Sequence, residues 1–321
     1  MAIILVTHGV LAAGFEALKA HRLIIPEPLH AFSREELAAL IPEADAVVAC
    51  GRLDGGLIRL GTRLRLIANY GAGYDAVDVA EAARLGVPVT NIPDVTADAT
   101  AELTLGLMLA VSRRIAELNL RLRREASETL FGMGVEMGRT LRGQTLGVLG
   151  LGRIGSRVAA LARGFGMEVL GYCRHGADPA VAEPVGLAEL LARADVLTLH
   201  CPLTVQTRGL IGREAIQQMK PGAVLINTAR GAVVDHDALA DALASGRLSA
   251  AGLDVFPEEP AIPARLLALP QVVLTPHIGT NTAQTRDEMA RACARQILDA
   301  LAGRLPEPVV NGVTRPRRCQ P

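Results

Sequence analysis

Two kinds of chemistry follow from residue types and spacing. The first is anion binding by backbone. Gly150-Leu151-Gly152-Arg153-Ile154-Gly155 fits G-x-G-x-x-G, directly after the apolar run Thr145–Leu149 and before a helical pattern over Ser156–Gly164. In that setting glycines permit a tight turn and bring backbone N–H groups against a pyrophosphate at a helix N-terminus. The second is proton and anion chemistry by side chains. Arg230 follows the apolar run 223–227, Glu258 and Glu259 follow the run that ends in Leu253-Asp254-Val255-Phe256, and His277 follows the run 272–274. Taken singly these are a surface arginine, a loop acid and a turn histidine. Together they are a bidentate carboxylate binder, an acid and an imidazole at the sheet edge that carries the glycine loop. That set could hold an anionic group and move a proton beside a bound dinucleotide.

The strand after the glycine loop bears on cofactor choice. Folds that prefer NAD carry Asp or Glu near its end, bonded to the adenosine ribose 2′-hydroxyl. Here Cys173 stands 18 residues beyond Gly155, and Arg174 and His175 follow. A thiol is a poor acceptor for that bond, no carboxylate repels a 2′-phosphate, and a guanidinium can pair with one. NADP is therefore the expected cofactor, with Arg153 and His175 near enough in sequence to help Arg174. NAD use stays open, with Arg174 then facing solvent.

These groups need a scaffold of alternating strands and helices. Short apolar runs at 2–6, 46–49, 65–68 and 88–90 alternate with helical patterns such as 33–40 and 78–85. One amphipathic helix is expected over about 97–122, capped by Asp94 or Thr96. The register then restarts with six strands, at 145–149, 168–172, 195–199, 223–227, 250–253 and 272–274, and closes with a helix over 283–302. The pattern reads as α/β with a doubly wound parallel (Rossmann) sheet preceded by a second α/β unit. Gly71-Ala72-Gly73 falls at the end of a strand in that first unit, where open parallel sheets bind ligands.

Composition excludes several classes. Half of the 321 residues are apolar and the formal net charge is zero, so two sizeable cores can form and no global field favours nucleic acid or a membrane. Aromatic residues are 2% with no tryptophan, too few rings for a nucleic-acid stacking platform. No uncharged apolar run approaches the ~20 residues of a membrane span, and residues 1–7 read as a strand rather than an export signal. Five cysteines without metal-ligand spacing fit a cytoplasmic protein.

At this level of detail the chain resembles the D-isomer-specific 2-hydroxyacid dehydrogenase family, from about Asn69 through Arg286. The carrying motifs are GLGRIG at 150–155, LHCPLT at 199–204, NTARG at 227–231, LDVF with its following Glu-Pro at 253–260, and PHIG at 276–279. The resemblance implies a catalytic Arg230, Glu259 and His277, with Glu259 taken over Glu258 because the family acid directly precedes proline. It implies that Asp254 holds the nicotinamide carboxamide and that Thr100, Cys201, Pro202, Thr207, Thr228, Ala229 and Gly279 line the cofactor, joining Gly150, Gly152, Arg153, Ile154 and Gly155 of the glycine loop and Arg174 from the residue reading above. Ala72 and Gly73 would offer amides to the substrate carboxylate beside Arg230 and His277. Glu259 would stabilise the imidazolium of His277, so that the ring can protonate the alkoxide near neutral pH.

The implied architecture is a discontinuous, flavodoxin-like substrate domain, 1–96 plus 280–312, a dinucleotide-binding domain, 97–279, and a tail, 313–321. The helices near 97–122 and 283–302 would be hinges that close the domains over substrate. A homodimer is implied as well, with Leu103–Val111 either its interface or a buried helix. Within the family, Asn69-Tyr70-Gly71-Ala72-Gly73-Tyr74-Asp75 is similar to the glyoxylate and hydroxypyruvate reductases. Phosphoglycerate dehydrogenase is the alternative, disfavoured by the lack of an added carboxyl-terminal regulatory domain. A dinucleotide-sensing corepressor is the alternative of another class.

Two segments depart from the pattern. Phe131–Gly138 is rich in glycine and methionine and receives no assignment, and Arg52 either grips a second anionic group or faces solvent. Arg230→Lys tests the fork directly, because it keeps the charge and loses bidentate geometry. With folding intact, kcat/KM for a 2-keto acid should fall more than tenfold; wild-type turnover would make Arg230 structural only.

Overall fold

The computed structural model describes residues 1–125, 128–174 and 176–315. His175, expected beside a 2′-phosphate, and the tail beyond Arg315 lie outside the described residues. The chain forms two compact units, one of Met1–Thr96 with the segment from Thr280 onward, the other of Ala97–Gly279.

The first unit holds five parallel strands, β1 (Ile3–Val6), β2 (Arg22–Ile24), β3 (Ala46–Ala49), β4 (Leu66–Asn69) and β5 (Val89–Thr90), in the order β2-β1-β3-β4-β5. This is the flavodoxin-like order. Alternate residues of each strand enter different cores, as a pleat buried on both faces requires. Ile4, Val6, Ala46, Val48, Leu66 and Ala68 pack under the last helix, Ala283–Leu301, whereas Leu5, Val47, Ala49 and Ile67 face the other side. The sequence pattern does not reveal β2. It is a three-residue edge strand that begins at an exposed arginine and whose other two residues are only half-buried.

The second unit is a seven-stranded parallel sheet of β6 (Thr145–Leu149), β7 (Glu168–Tyr172), β8 (Glu183–Pro184), β9 (Val196–Leu199), β10 (Ala223–Asn227), β11 (Leu248–Leu253) and β12 (Val272–Leu274). Their order is β12-β11-β10-β9-β6-β7-β8, so the winding reverses between β6 and β9. A ligand of such a sheet binds where that reversal opens a crevice at the strands' carboxyl ends. Six of the seven strands match apolar runs in the sequence. The seventh, β8, has two exposed residues and no run to announce it.

The single helix expected over 97–122 is two helices, Ala97–Ser112 and Ile115–Glu125. Arg114 adopts φ +54°, which a right-handed helix cannot continue through. The carbonyl of Ser112 accepts from Arg139 N at 2.8 Å instead of from a helical donor. The two helices also differ in kind: the first buries nine residues, the second none. Leu105, Leu107, Met108 and Val111 are in the core of the second unit, whereas Leu103, Leu109 and Ala110 are half-buried and Gly106 is exposed. The unassigned segment 131–138 is pinned through Glu136, which pairs with Arg114 and Arg121, and Phe131, Met133 and Met137 remain exposed.

The returning helix Ala283–Leu301 joins the first unit through more than apolar packing. Gln296, 7% exposed, accepts from Thr90 Oγ1 at 2.8 Å and donates to the carbonyls of Asn91 at 3.0 Å and Glu307 at 3.2 Å. Gln296→Leu keeps the bulk and strands these partners, each at about 1–3 kcal/mol. A loss of at least ~2 kcal/mol should lower Tm by about 4 °C or more, read by calorimetry; an unchanged Tm would show that packing alone holds the helix.

Candidate active site

The glycine loop leaves β6 and enters the helix Arg153–Gly164. Gly150 has φ +99°, and a Cβ on it would lie 2.7 Å from Cys201 N, so only glycine makes this turn against the end of β9. Gly155 is buried, and a Cβ there would stand 1.9 Å from the Gly150 carbonyl oxygen, which sets the close approach of helix and strand. Gly152 is different. It is the residue before the helix, and a Cβ on it meets nothing within 4 Å. That open space at a helix N-terminus is the room a pyrophosphate needs, so the residues present fit a dinucleotide. Arg153 and Ile154 open the helix, with Arg153 exposed.

Cys173 and the exposed Arg174 follow β7, and the Cys173 thiol donates to the Gly176 carbonyl at 2.8 Å. After β9, Cys201 packs by the loop, and burial pushes its thiol up to about 11, which removes it as a nucleophile. The Thr207 hydroxyl donates to the Pro202 carbonyl at 2.6 Å and closes that turn.

His277 lies just past β12 with φ +52°, a left-handed conformation uncommon outside glycine. Asp254, 1% exposed at the end of β11, holds it there. Its Oδ1 accepts from Thr275 Oγ1 at 2.6 Å and Ile278 N at 2.8 Å, and its Oδ2 from Gly279 N at 2.9 Å. The His277 amide donates to the Asp254 carbonyl at 2.9 Å. Burial raises the Asp254 carboxyl above its ordinary range, against the opposing pull of these donors and of the nearby His277. On the far side Thr100 Oγ1 reaches the Gly279 carbonyl at 3.4 Å.

The ring so placed meets Glu259, not Glu258. His277 Nδ1 lies 2.7 Å from Glu259 Oε2, and Glu259 Oε1 accepts from Phe256 N at 3.0 Å. Partial burial works to raise the Glu259 carboxyl. The His277 and Phe256 hydrogen bonds, with the charges of His277 and Arg230, outweigh it and hold the group below its usual value. Arg230 is close by for a steric reason: a Cβ on Gly231 would sit 2.0 Å from the Phe256 carbonyl carbon, so its loop lies flat on the Glu259 loop. The Arg230 Nη1 donates to the Ala229 carbonyl at 2.7 Å, and Thr228 Oγ1 bonds Thr104 Oγ1 at 2.9 Å.

Two supporting residues were not legible as such. Asn227, fully buried as the last residue of β10, donates to the Arg230 carbonyl at 2.9 Å and accepts from Ala229 N at 3.0 Å. His236 lies 3.1 Å from the Gly231 carbonyl through Nε2. The signal for Asn227 was available, a polar residue closing an otherwise apolar strand. Two other histidines of this unit are ill-placed for proton transfer: burial lowers His236, and it takes His200 down to about 3. In the first unit, Ala72 is half-buried and Gly73 exposed in the loop after β4.

A doubly wound sheet with this open glycine loop and an acid-paired histidine at one carboxyl edge defines an NAD(P)-dependent oxidoreductase. The family profile "D-isomer specific 2-hydroxyacid dehydrogenase, NAD binding domain" matches residues 105–279. The chain is 42% identical to the glyoxylate reductase of Thermococcus litoralis, over 87% of both chains. It is also 42% identical to the D-3-phosphoglycerate dehydrogenase of Mycobacterium leprae, over 87% of this chain and 53% of that one. The crystal structure of an NADPH-dependent glyoxylate/hydroxypyruvate reductase from Sinorhizobium meliloti, in complex with NADP and malonate, superposes with TM-score 0.88 at 30% identity and covers 99% of each chain. This chain belongs to the D-isomer-specific 2-hydroxyacid dehydrogenase family.

The acid–histidine pair generates a pH prediction. Glu259, held below the usual carboxylate range, stays charged across neutral pH at 2.7 Å from His277 Nδ1, and an adjacent anion in general favours a protonated imidazole. Glu259→Gln removes that charge, so the alkaline loss of reductase activity should move to lower pH in a kcat/KM profile. An unmoved profile would mean that Glu259 does not tune His277.

Proposed function

We propose that the protein reduces small 2-keto acids of the glyoxylate and hydroxypyruvate kind to D-2-hydroxy acids, with NADPH preferred over NADH. The observation that carries this reading is the 2.7 Å pair of His277 and Glu259 beside the Arg230 loop. Arg230 matches a carboxylate with its planar fork, and its charge polarises the adjacent carbonyl. The nicotinamide, when bound, supplies the hydride for the carbonyl carbon. With Nδ1 engaged by Glu259, His277 offers Nε2 as the acid that protonates the developing alkoxide. In the reverse direction the neutral ring takes that proton from the hydroxy acid.

The remaining assignments are part of the same reading. Thr100, Gly150, Gly152, Arg153, Ile154, Gly155, Arg174, Cys201, Pro202, Thr207, Thr228, Ala229 and Gly279 hold the cofactor, and Asp254 takes its carboxamide with the lone pair its three donors leave. Ala72 and Gly73 belong to the substrate, so the first unit is the substrate domain and the second the cofactor domain. A homodimer is supported by the helix Ile115–Glu125, which buries none of its residues, and by the exposed Phe131, Met133 and Met137 on the same unit. The free cysteines at 50, 173, 201 and 293 suit the reducing cytoplasm. Phosphoglycerate is the second substrate reading, favoured by identity alone, since this chain spans about half of that relative.

The cofactor preference supplies the test. A charged hydrogen bond from Arg174 to a 2′-phosphate is worth roughly 1.5–3 kcal/mol, and exposure of the loop could take about half of it. With each ~1.4 kcal/mol giving tenfold, kcat/KM with glyoxylate should favour NADPH by about 3–100-fold. Arg174→Ala should erase most of that, and Cys173→Asp with Arg174→Ala should reverse it. A wild-type preference for NADH would return Arg174 to the solvated surface, and no turnover with glyoxylate or hydroxypyruvate would overturn the substrate assignment.

A further inference from the structure

The loop after β4 is held from behind by two buried asparagines. Asn69 closes β4 and Asn91 follows β5, on the rung beyond the Ala68–Thr90 pair of the same ladder, and they are 5% and 7% exposed. Asn69 Nδ2 donates to the carbonyls of Gly71 at 3.0 Å and Gly73 at 2.9 Å. Asn91 Nδ2 donates to the Ala72 carbonyl at 2.7 Å. Three successive carbonyls are thus drawn toward the two side chains. In a trans peptide the N–H points opposite to the C=O of the same unit. The N–H groups of Ala72, Gly73 and Tyr74 are therefore turned away from the asparagines, and among the described residues none of them has an acceptor.

We propose that Asn69 and Asn91 are positioning residues that aim the amides of Ala72, Gly73 and Tyr74 at the substrate's carboxylate. The inference rests on the reading that this loop receives that carboxylate. Successive amides on the side of a loop away from its carbonyls, without acceptors among the described residues, suit an anion rather than a cation or a neutral donor. A second observation sets Asn91 apart from a residue kept for stability. Its Oδ1 is buried without a partner among the described residues, and an uncompensated buried acceptor is destabilising. An apolar side chain would fill that position at lower cost, but could not hold the Ala72 carbonyl.

A carboxylate held equally in ground and transition states lowers KM more than it raises kcat. Asn91→Ala should therefore raise KM for glyoxylate, and the inhibition constant of oxamate against it, by about tenfold, with kcat changed far less. NADPH affinity, read by fluorescence titration, should not move. Asn91→Asp adds a readout that a merely structural residue would not give. Ionised, it cannot donate to Ala72; protonated, it can, so its KM relative to wild type should recover as pH falls. This isosteric variant also carries the test if Asn91→Ala does not fold. Wild-type KM and oxamate inhibition in Asn91→Ala, or a pH-independent KM ratio in Asn91→Asp, would overturn the inference while wild-type turnover leaves the functional reading standing. Failure of the wild type itself to reduce glyoxylate or hydroxypyruvate would overturn both.

Discussion

The Asp254 carboxylate is the constraint on which the geometry at this carboxyl edge of the second unit hangs. Buried at the end of β11, it takes three donors from the segment Thr275–Gly279 and so ties the end of β12 to its neighbour. The left-handed backbone of His277 persists because this clamp over-determines it. Without the clamp, an exposed imidazole on a five-residue turn would sample many directions, and its pairing with Glu259 would lose its geometry. A buried acid with three of its lone-pair sites engaged is stiff, and that stiffness is passed to the backbone that carries His277.

The same device recurs at the other loops. Asn227 ties Ala229 and Arg230, and Asn69 with Asn91 ties Gly71, Ala72 and Gly73. In each case a side-chain amide at or just beyond a strand end binds the backbone of the loop that follows or adjoins it. Parallel strands make this economical: their carboxyl ends lie along one edge, and the last residue of each can reach loop atoms without leaving the core. Rigid sheet positions thereby dictate loop conformation, and the loops present arginine, histidine or bare amides.

Burial sorts the histidines of the second unit. His200 and His236 are in apolar surroundings that disfavour the charged ring, and each has one nitrogen engaged, by Thr198 and by the Gly231 carbonyl. His277 is half-exposed with a carboxylate at one nitrogen. One residue type therefore meets two environments, desolvated and unfit to carry charge, or solvated and paired with a carboxylate.

The sequence by itself determined the doubly wound class, the glycine loop and most strands, since short apolar runs and a strand–glycine–helix order are local signals. It also named Arg230, Glu259 and His277 through motif resemblance. It did not show β2 and β8, edge strands that bury little of their surface, and it read one helix where Arg114 breaks it into two. That break depends on Glu136 and Arg139, more than twenty residues on, and no window along the chain contains such a contact. Likewise the choice of Glu259 over Glu258 became geometric only when β11 and β12 lay side by side and put Phe256 N and His277 Nδ1 on the same carboxylate. Tertiary structure decided which polar residues serve as supports, because Asp254, Asn69, Asn91 and Asn227 act on backbone atoms whose direction is set by packing and not by the identity of the residues that carry them.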